Sequence, residues 1–175
     1  MERIVVGMAD CRIGVNPESV LVTYALGSCI GLTMYDPVTG VGGLLHFMLP
    51  DSGLDPARSR QNPHMFADTG IAWLLEKLAA NGASKRRLIA CAAGAAQILD
   101  DKGVFEIGKR NYLATRRILW KHGMLLQREA IGGVEFRTIS LEIGTGRLLL
   151  QESGQQRELA AGWRQKGEQP WRTAS

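Results

Sequence analysis

Residues 23–50 read TYALGSCIGLTMYDPVTGVGGLLHFMLP, and the turn in their middle decides how the fold is read. In Asp36-Pro37-Val38-Thr39-Gly40 the proline presets φ and the glycine tolerates a positive φ, which is strong turn chemistry. Cys29–Tyr35 before it and Gly43–Leu49 after it are apolar runs of strand length, so the unit reads as a β-hairpin. If Asp36 faces Val41, then Gly31 faces His46. Cys29 is then the diagonal neighbour of His46 on the same face, at about 7–8 Å between backbones. A loop one residue shorter throws the two side chains onto opposite faces. Local geometry therefore permits a Cys29–His46 pair without requiring it.

Outward from the hairpin, Arg3–Met8 and Val20–Leu26 read as strands, separated by a break at Asn16-Pro17. Leu26-Gly27-Ser28 is a tight turn leading into Cys29. Asp51–Asn62 is polar and aperiodic and reads as a long loop. Pro63 opens a helix whose apolar face is Phe66, Ile71, Leu74, Leu75 and Leu78, and Asn81-Gly82 ends it. Arg87–Ala93 is expected to be a buried strand, and Arg110–Lys121 a second helix with Leu113, Ile118 and Leu119 as its apolar stripe. Met124–Ala130, Val134–Ile143 and Leu148–Gln151 read as further strands. Strands outnumber helices and come partly in hairpins. The fold class is α+β: a single-domain α/β sandwich with mixed, largely antiparallel sheets and two main helices. Residues 1–152 form the domain, and 153–175 read as a polar tail in which Trp163 and Trp171 stand out.

The chain has 175 residues, 45% of them hydrophobic and 22% charged, which is ordinary for a globular domain large enough to bury a core. No apolar run approaches the about 20 residues that cross a bilayer, so no membrane insertion is expected. The first residues, MERIVVGMADCRIGV, are charged early and do not read as a signal peptide, so a cytoplasmic location is expected. Cys11, Cys29 and Cys91 are far apart and form no CxxC pair, and His46, His64 and His122 lack metal-site spacing. No metal and no cofactor is expected. Basic residues cluster at Lys85-Arg86-Arg87 and at Lys109, Arg110, Arg116, Arg117 and Lys121. They read as a solvated face or, more sharply, as a docking face for an acidic partner. With 6% aromatics and no matching motif, nucleic acid is not an expected partner.

A thiol and an imidazole are the minimum parts of a cysteine-nucleophile hydrolase. The adjacent imidazole is expected to lower the thiol pKa, after which the thiolate attacks a carbonyl and the imidazolium protonates the leaving group. Thr23 could orient the ring, and backbone N–H groups around Gly27 and Ser28 could hold an oxyanion. The plainer alternatives are a small core cysteine at Cys29 and a satisfied half-buried histidine at His46. Cys91, inside LIACAA, reads as core, and Cys11, between Asp10 and Arg12, as a surface-loop thiol.

The run LGSCIGLTMYDPVTGVGGLLHFMLP resembles the CheD family of chemoreceptor glutamine deamidases, with Thr23, Cys29 and His46 at the family's intervals. Met8-Ala9-Asp10, Phe66-Ala67-Asp68, Ile107-Gly108 with Asn111, and Gly132-Gly133 with Arg137 extend the likeness over about residues 3 to 151. The resemblance implies hydrolysis of glutamine side-chain amides on chemoreceptor cytoplasmic domains through a thioester at Cys29, with His46 as base and acid and Thr23 orienting it. It also implies, as an alternative, a binding module for a CheC-type phosphatase or a receptor. Three departures bear on substrate range: Ala25 where the family usually has glycine, Cys91 and Ala95 where its central pattern has lysine and glycine, and Phe136 in place of a further glycine.

Overall fold

The computed structural model describes residues 1–97 and 106–163. The hairpin forms as read. Strands β4 (Ile30–Asp36) and β5 (Val41–Phe47) pair antiparallel with Asp36 opposite Val41 and Gly31 opposite His46. Asp36 locks the turn. Its carboxylate accepts the Val38 N–H at 2.9 Å and the Ser84 N–H at 2.9 Å, and it pairs with the Arg87 guanidinium at 2.7 Å. Burial alone would raise this carboxyl, but the Arg87 hydrogen bonds and the two amides outweigh it and hold the pKa below its ordinary value.

Five strands build each of two sheets. In addition to the hairpin, the strands are β1 (Glu2–Val5), β2 (Asp10–Gly14), β3 (Ser19–Leu26), β6 (Ile89–Gly94), β7 (Leu126–Ile131), β8 (Arg137–Glu142), β9 (Leu148–Glu152) and β10 (Gln155–Ala160). The first sheet runs β1-β3-β8-β9-β10 and the second β2-β5-β4-β6-β7. Among the described residues the β1·β3 and β6·β7 strand pairs are parallel and the other strand pairs antiparallel. The helices are α1 (Pro56–Gln61), α2 (Ala67–Ala80) and α3 (Ile107–Lys121). The α+β sandwich is thus the observed fold, with α2 and α3 as its two long helices.

Every residue of β4 and β5 is buried because the second sheet is covered on both faces. Ile30, Leu32, Met34, Leu45 and Phe47 pack with Ile71, Leu74 and Leu78 of α2 and Ala114 and Leu119 of α3. On the opposite face, Leu44 and Ala93 meet Leu21, Leu26, Ile139 and Leu141 of the first sheet. Gly31 lies on that inter-sheet face. A Cβ there would stand 2.9 Å from the Leu26 and Ile139 side chains, so glycine permits the close approach of the sheets. His46 shares this face with Gly31 and, by the period of two, with Cys29.

Four readings of the sequence are corrected. Asp10–Gly14 is a strand paired with β5, so Cys11 is a buried core thiol, 4% exposed, rather than a surface-loop one. Asp51–Asn62 is not a plain loop: it holds a 3-10 turn and α1, whose first residue Pro56 follows the capping Asp55. Pro63–Met65 is a 3-10 turn, and the long helix begins at Ala67. Gln155–Ala160, expected in the tail, forms β10 against β9, and the Trp163 N–H donates to the Thr145 carbonyl at 2.8 Å. Trp171 lies outside the described residues.

Candidate active site

Three side chains converge between the sheets at the open end of the hairpin. Thr23 comes from β3, His46 from β5, and Cys29 from the turn that joins β3 to β4. Thr23 is fully buried, His46 is 2% exposed, and Cys29 is half-buried at the mouth of a cleft. The register that sequence left open is therefore the one that puts Cys29 and His46 on a single face.

Hydrogen bonding fixes the state of the ring. The Thr23 hydroxyl donates its only proton to the Val6 carbonyl at 2.7 Å. Its oxygen also lies 2.7 Å from His46 Nδ1, so in that contact it accepts and Nδ1 carries the hydrogen. The lone pair of the neutral ring then sits on Nε2, which is buried with no hydrogen-bond partner among the described residues. A histidine arranged in this way is a base at Nε2 held in orientation from behind.

Burial sets the protonation of both groups. It lowers the imidazole to about 4. It also pushes the Cys29 thiol up, although the residue's own backbone N–H faces the sulfur and partly offsets this. Burial thus favours the neutral thiol and the neutral imidazole, the opposite direction to the expected lowering of the thiol by its neighbour. Cys11 and Cys91 are raised too, Cys91 to about 11, by burial in the core.

The turn that carries Cys29 is clamped through its carbonyl groups. The Gly27 carbonyl accepts from the Ala96 N–H at 2.8 Å and the Cys29 carbonyl from the Ala95 N–H at 2.9 Å. The Ser28 carbonyl accepts from Asn111 Nδ2 at 2.9 Å. In trans peptides the N–H points opposite the preceding C=O, so the amides of Ser28 and Cys29 face away from these clamps. Asn111 Nδ2 also donates to the Met48 carbonyl at 2.9 Å, just beyond β5. This one fully buried side chain ties the cysteine turn to the histidine strand. Because both acceptors are carbonyl oxygens, the orientation of its amide is fixed, and Oδ1 has no partner among the described residues.

The cleft has a volume of about 670 Å³. Its walls include Cys29, Met48, Ala95, Ile107, Tyr112 and Phe136. Three non-glycine residues lining it have left-handed backbones, Ala25 at φ 55°, Ala95 at φ 53° and Glu106 at φ 41°. Ala25 is the extra residue of a β-bulge, since Thr23 and Leu26 pair with Ile139 and Arg137. Gly94 has φ 122°, and a Cβ there would collide with the Cys29 carbonyl oxygen. Arg137 stiffens the same wall: it donates to the Gly132 carbonyl at 2.7 Å and pairs with Glu152 at 2.7 Å. The departures at Ala25, Ala95 and Phe136 thus all fall on the cleft, whereas Cys91 lies in the inter-sheet core.

Sequence reasoning placed Thr23, Cys29 and His46 at one site but gave no role to Asn111 or to the Val6 carbonyl. The available signal for Asn111 was its place among Gly108, Ala114, Thr115 and Leu119, on the inward face of α3. Among the described residues no cluster of His, Cys, Asp and Glu could hold a metal ion. None of the described helices is long and apolar enough to cross a membrane.

The class this defines is an α+β sandwich with a half-buried thiol at a cleft and a hydrogen-bonded Thr23–His46 pair buried on the same inter-sheet face. The comparisons name the family. A family model described as CheD chemotactic sensory transduction matches residues 48–152. The "probable chemoreceptor glutamine deamidase CheD" of Solibacter usitatus is 63% identical over 95% of this chain and 99% of its own length. Similarly named proteins of Syntrophus aciditrophicus and Pyrococcus horikoshii are 46% and 40% identical, over 88% and 87% of this chain and 96% and 93% of theirs. The chain belongs to the CheD family.

Proposed function

We propose that this chain hydrolyses the side-chain amide of glutamine on chemoreceptors, leaving glutamate and releasing ammonia. Cys29 is the nucleophile, His46 the base and then the acid, and Thr23 the group that orients His46. The single observation carrying this reading is the Val6–Thr23–His46 hydrogen-bond chain, which leaves an unpartnered basic Nε2 on the face that Cys29 shares. The names of the relatives supply the substrate class.

The neutral resting pair dictates the order of events. As Sγ attacks the amide carbon, Nε2 takes the thiol proton, so charge appears only in the transition state. The amides of Ser28 and Cys29 receive the developing oxyanion, while Gly27 supplies the turn. Collapse breaks the C–N bond, Nε2 returns its proton to the departing nitrogen, and ammonia leaves a thioester. Water, deprotonated at Nε2, then attacks the thioester and yields glutamate and the free thiol. The substrate being a receptor's cytoplasmic domain, the reaction takes place in the cytoplasm.

Incubation with a receptor cytoplasmic fragment, followed by mass spectrometry of its peptides, tests the proposal. The expected outcome is conversion of glutamine to glutamate by the wild type and its loss, by at least about 10³-fold, in Cys29→Ala. Conversion that persists in Cys29→Ala excludes the mechanism. A chemotaxis phenotype that survives Cys29→Ala would favour the binding-module reading, with a CheC-type phosphatase or receptor as partner.

A further inference from the structure

Helix α3 carries Lys109, Arg110, Arg116, Arg117 and Lys121 and no acidic residue. It also turns apolar side chains outward. Leu113 is 50% exposed and Trp120 70%, and Leu125, in the turn that follows, is 61% exposed. Together they wall a groove of about 280 Å³, with Leu119, Met124 and Leu126 beneath and Arg116 and Arg117 at its rim. The Glu129 carboxylate accepts from the Tyr112 hydroxyl at 2.8 Å. Arg116 stacks over the Tyr112 ring at 5.7 Å, and neither Arg116 nor Arg117 forms an ion pair among the described residues. Apolar surface rimmed by unpaired cations fits a segment that carries both apolar and acidic side chains.

The groove and the candidate active site lie along the same helix. Ile107, Gly108, Lys109 and Tyr112, in the first turns of α3, line the cleft. Lys109, Tyr112, Arg116 and Trp120 follow one another at helical spacing and so form one ridge from cleft to groove. At about 1.5 Å of rise per residue, Gly108 and Trp120 are about 18 Å apart. A helix laid along that ridge spans the distance in about 12 residues.

We propose that this groove is a second docking site for the protein whose glutamine enters the cleft. Its occupant is an acidic, amphipathic helical segment of the same substrate, about 12 residues along the helix from the target glutamine. The inference rests on the deamidase reading for the identity of the substrate but not for the docking itself. It makes glutamine choice a matter of what lies three turns away as well as of what fits the cleft.

The test uses full-length protein in two assays. Binding of a receptor cytoplasmic fragment is measured by calorimetry in a Cys29→Ala background, with and without Trp120→Ala or the pair Arg116→Glu and Arg117→Glu. Deamidation is measured on the same fragment and on a short glutamine peptide that can reach only the cleft. Each groove change is expected to weaken fragment binding and raise its KM by about tenfold, with kcat and the short peptide's kcat/KM unchanged. Added salt should weaken the wild-type complex and affect the double-charge variant less. Fragment binding indifferent to the groove changes overturns the proposal, as does an equal loss on the short peptide. So does sedimentation showing that the groove is occupied by a second copy of this chain. Groove-dependent binding without turnover by the wild type supports the docking site and counts instead against the deamidase reading.

Discussion

The two walls of the cleft are built differently. One is the end of the β3–β4–β5 framework, met at the cleft by Ala25, the turn at residues 27–29 and Met48: paired ladders behind it, no exposed side chain on β4 or β5, and the three groups proposed to do the chemistry. The other is assembled from the end of β6, the start of α3 and the Gly132-Gly133 turn, with Ala95 and both glycines at positive φ and apolar side chains facing the opening. Chemistry that tolerates little displacement sits on the stiff wall, and the surface a substrate meets sits on the irregular one. Asn111 joins them, since its one amide holds the cysteine turn and the end of the histidine strand to a helix of the second wall.

The largest way to break this contrast is on the stiff wall. His46→Ala should lower kcat by about 10⁴-fold while leaving fragment binding intact, because only the proton acceptor is removed. Thr23→Val should cost less. It leaves Nδ1–H and the Val6 carbonyl buried without a partner, worth about 1–3 kcal/mol, or roughly 5- to 150-fold in kcat. Thr23→Ser keeps the hydroxyl and should restore most of the rate, which a merely steric role for Thr23 would not predict.

Asn111→Ala tests the joint between the walls. Two carbonyl groups lose their donor, so stability should fall by about 1–3 kcal/mol in urea unfolding. The rate should fall with KM little changed, because the cysteine turn loses its register with His46 rather than its substrate contacts. An equal fall in stability with full kcat would reduce Asn111 to a packing residue.

Acid should act through His46. Its pKa is depressed in the folded state to about 4, from 6.5, so the unfolded chain binds the extra proton first as pH drops. Stability is therefore expected to decline as pH falls from about 6.5 toward about 4, by an amount on the order of 3 kcal/mol. His46→Gln should remove that part of the slope when unfolding is compared at about pH 7 and about pH 4.5. Deamidation should keep its base down to the same acid limit. The smallest expected effect lies at two left-handed alanines beside the cleft, Ala25 in the β3 bulge and Ala95 on the irregular wall: Ala25→Gly or Ala95→Gly relieves a left-handed backbone and should raise stability by no more than about 1 kcal/mol.

The same division decides what could be read from sequence. The hairpin was legible because Asp36-Pro37…Gly40 is turn chemistry that fixes length, and length fixes register. The proposed triad followed from it, with the resemblance supplying the roles. Strand β2 was missed because it is short and mixed, with charged Asp10 and Arg12 beside buried Cys11. Strand β10 was missed because an edge strand exposed over Gln155–Glu158 reads like a polar tail. Nothing in an alanine announces a positive φ, so the left-handed backbone at Ala25 and Ala95 was not visible. The cleft itself was not legible, since its lining comes from segments brought together only by the finished fold.

Mass measurement of the whole protein, quenched in acid during turnover of a receptor fragment or glutamine peptide, probes the sulfur itself. The account predicts an acyl adduct, substrate minus ammonia, that maps to Cys29 and accumulates when His46 is replaced by a weaker base that still permits slow acylation. Steady turnover with an unmodified Cys29, in wild type and variant alike, would contradict it.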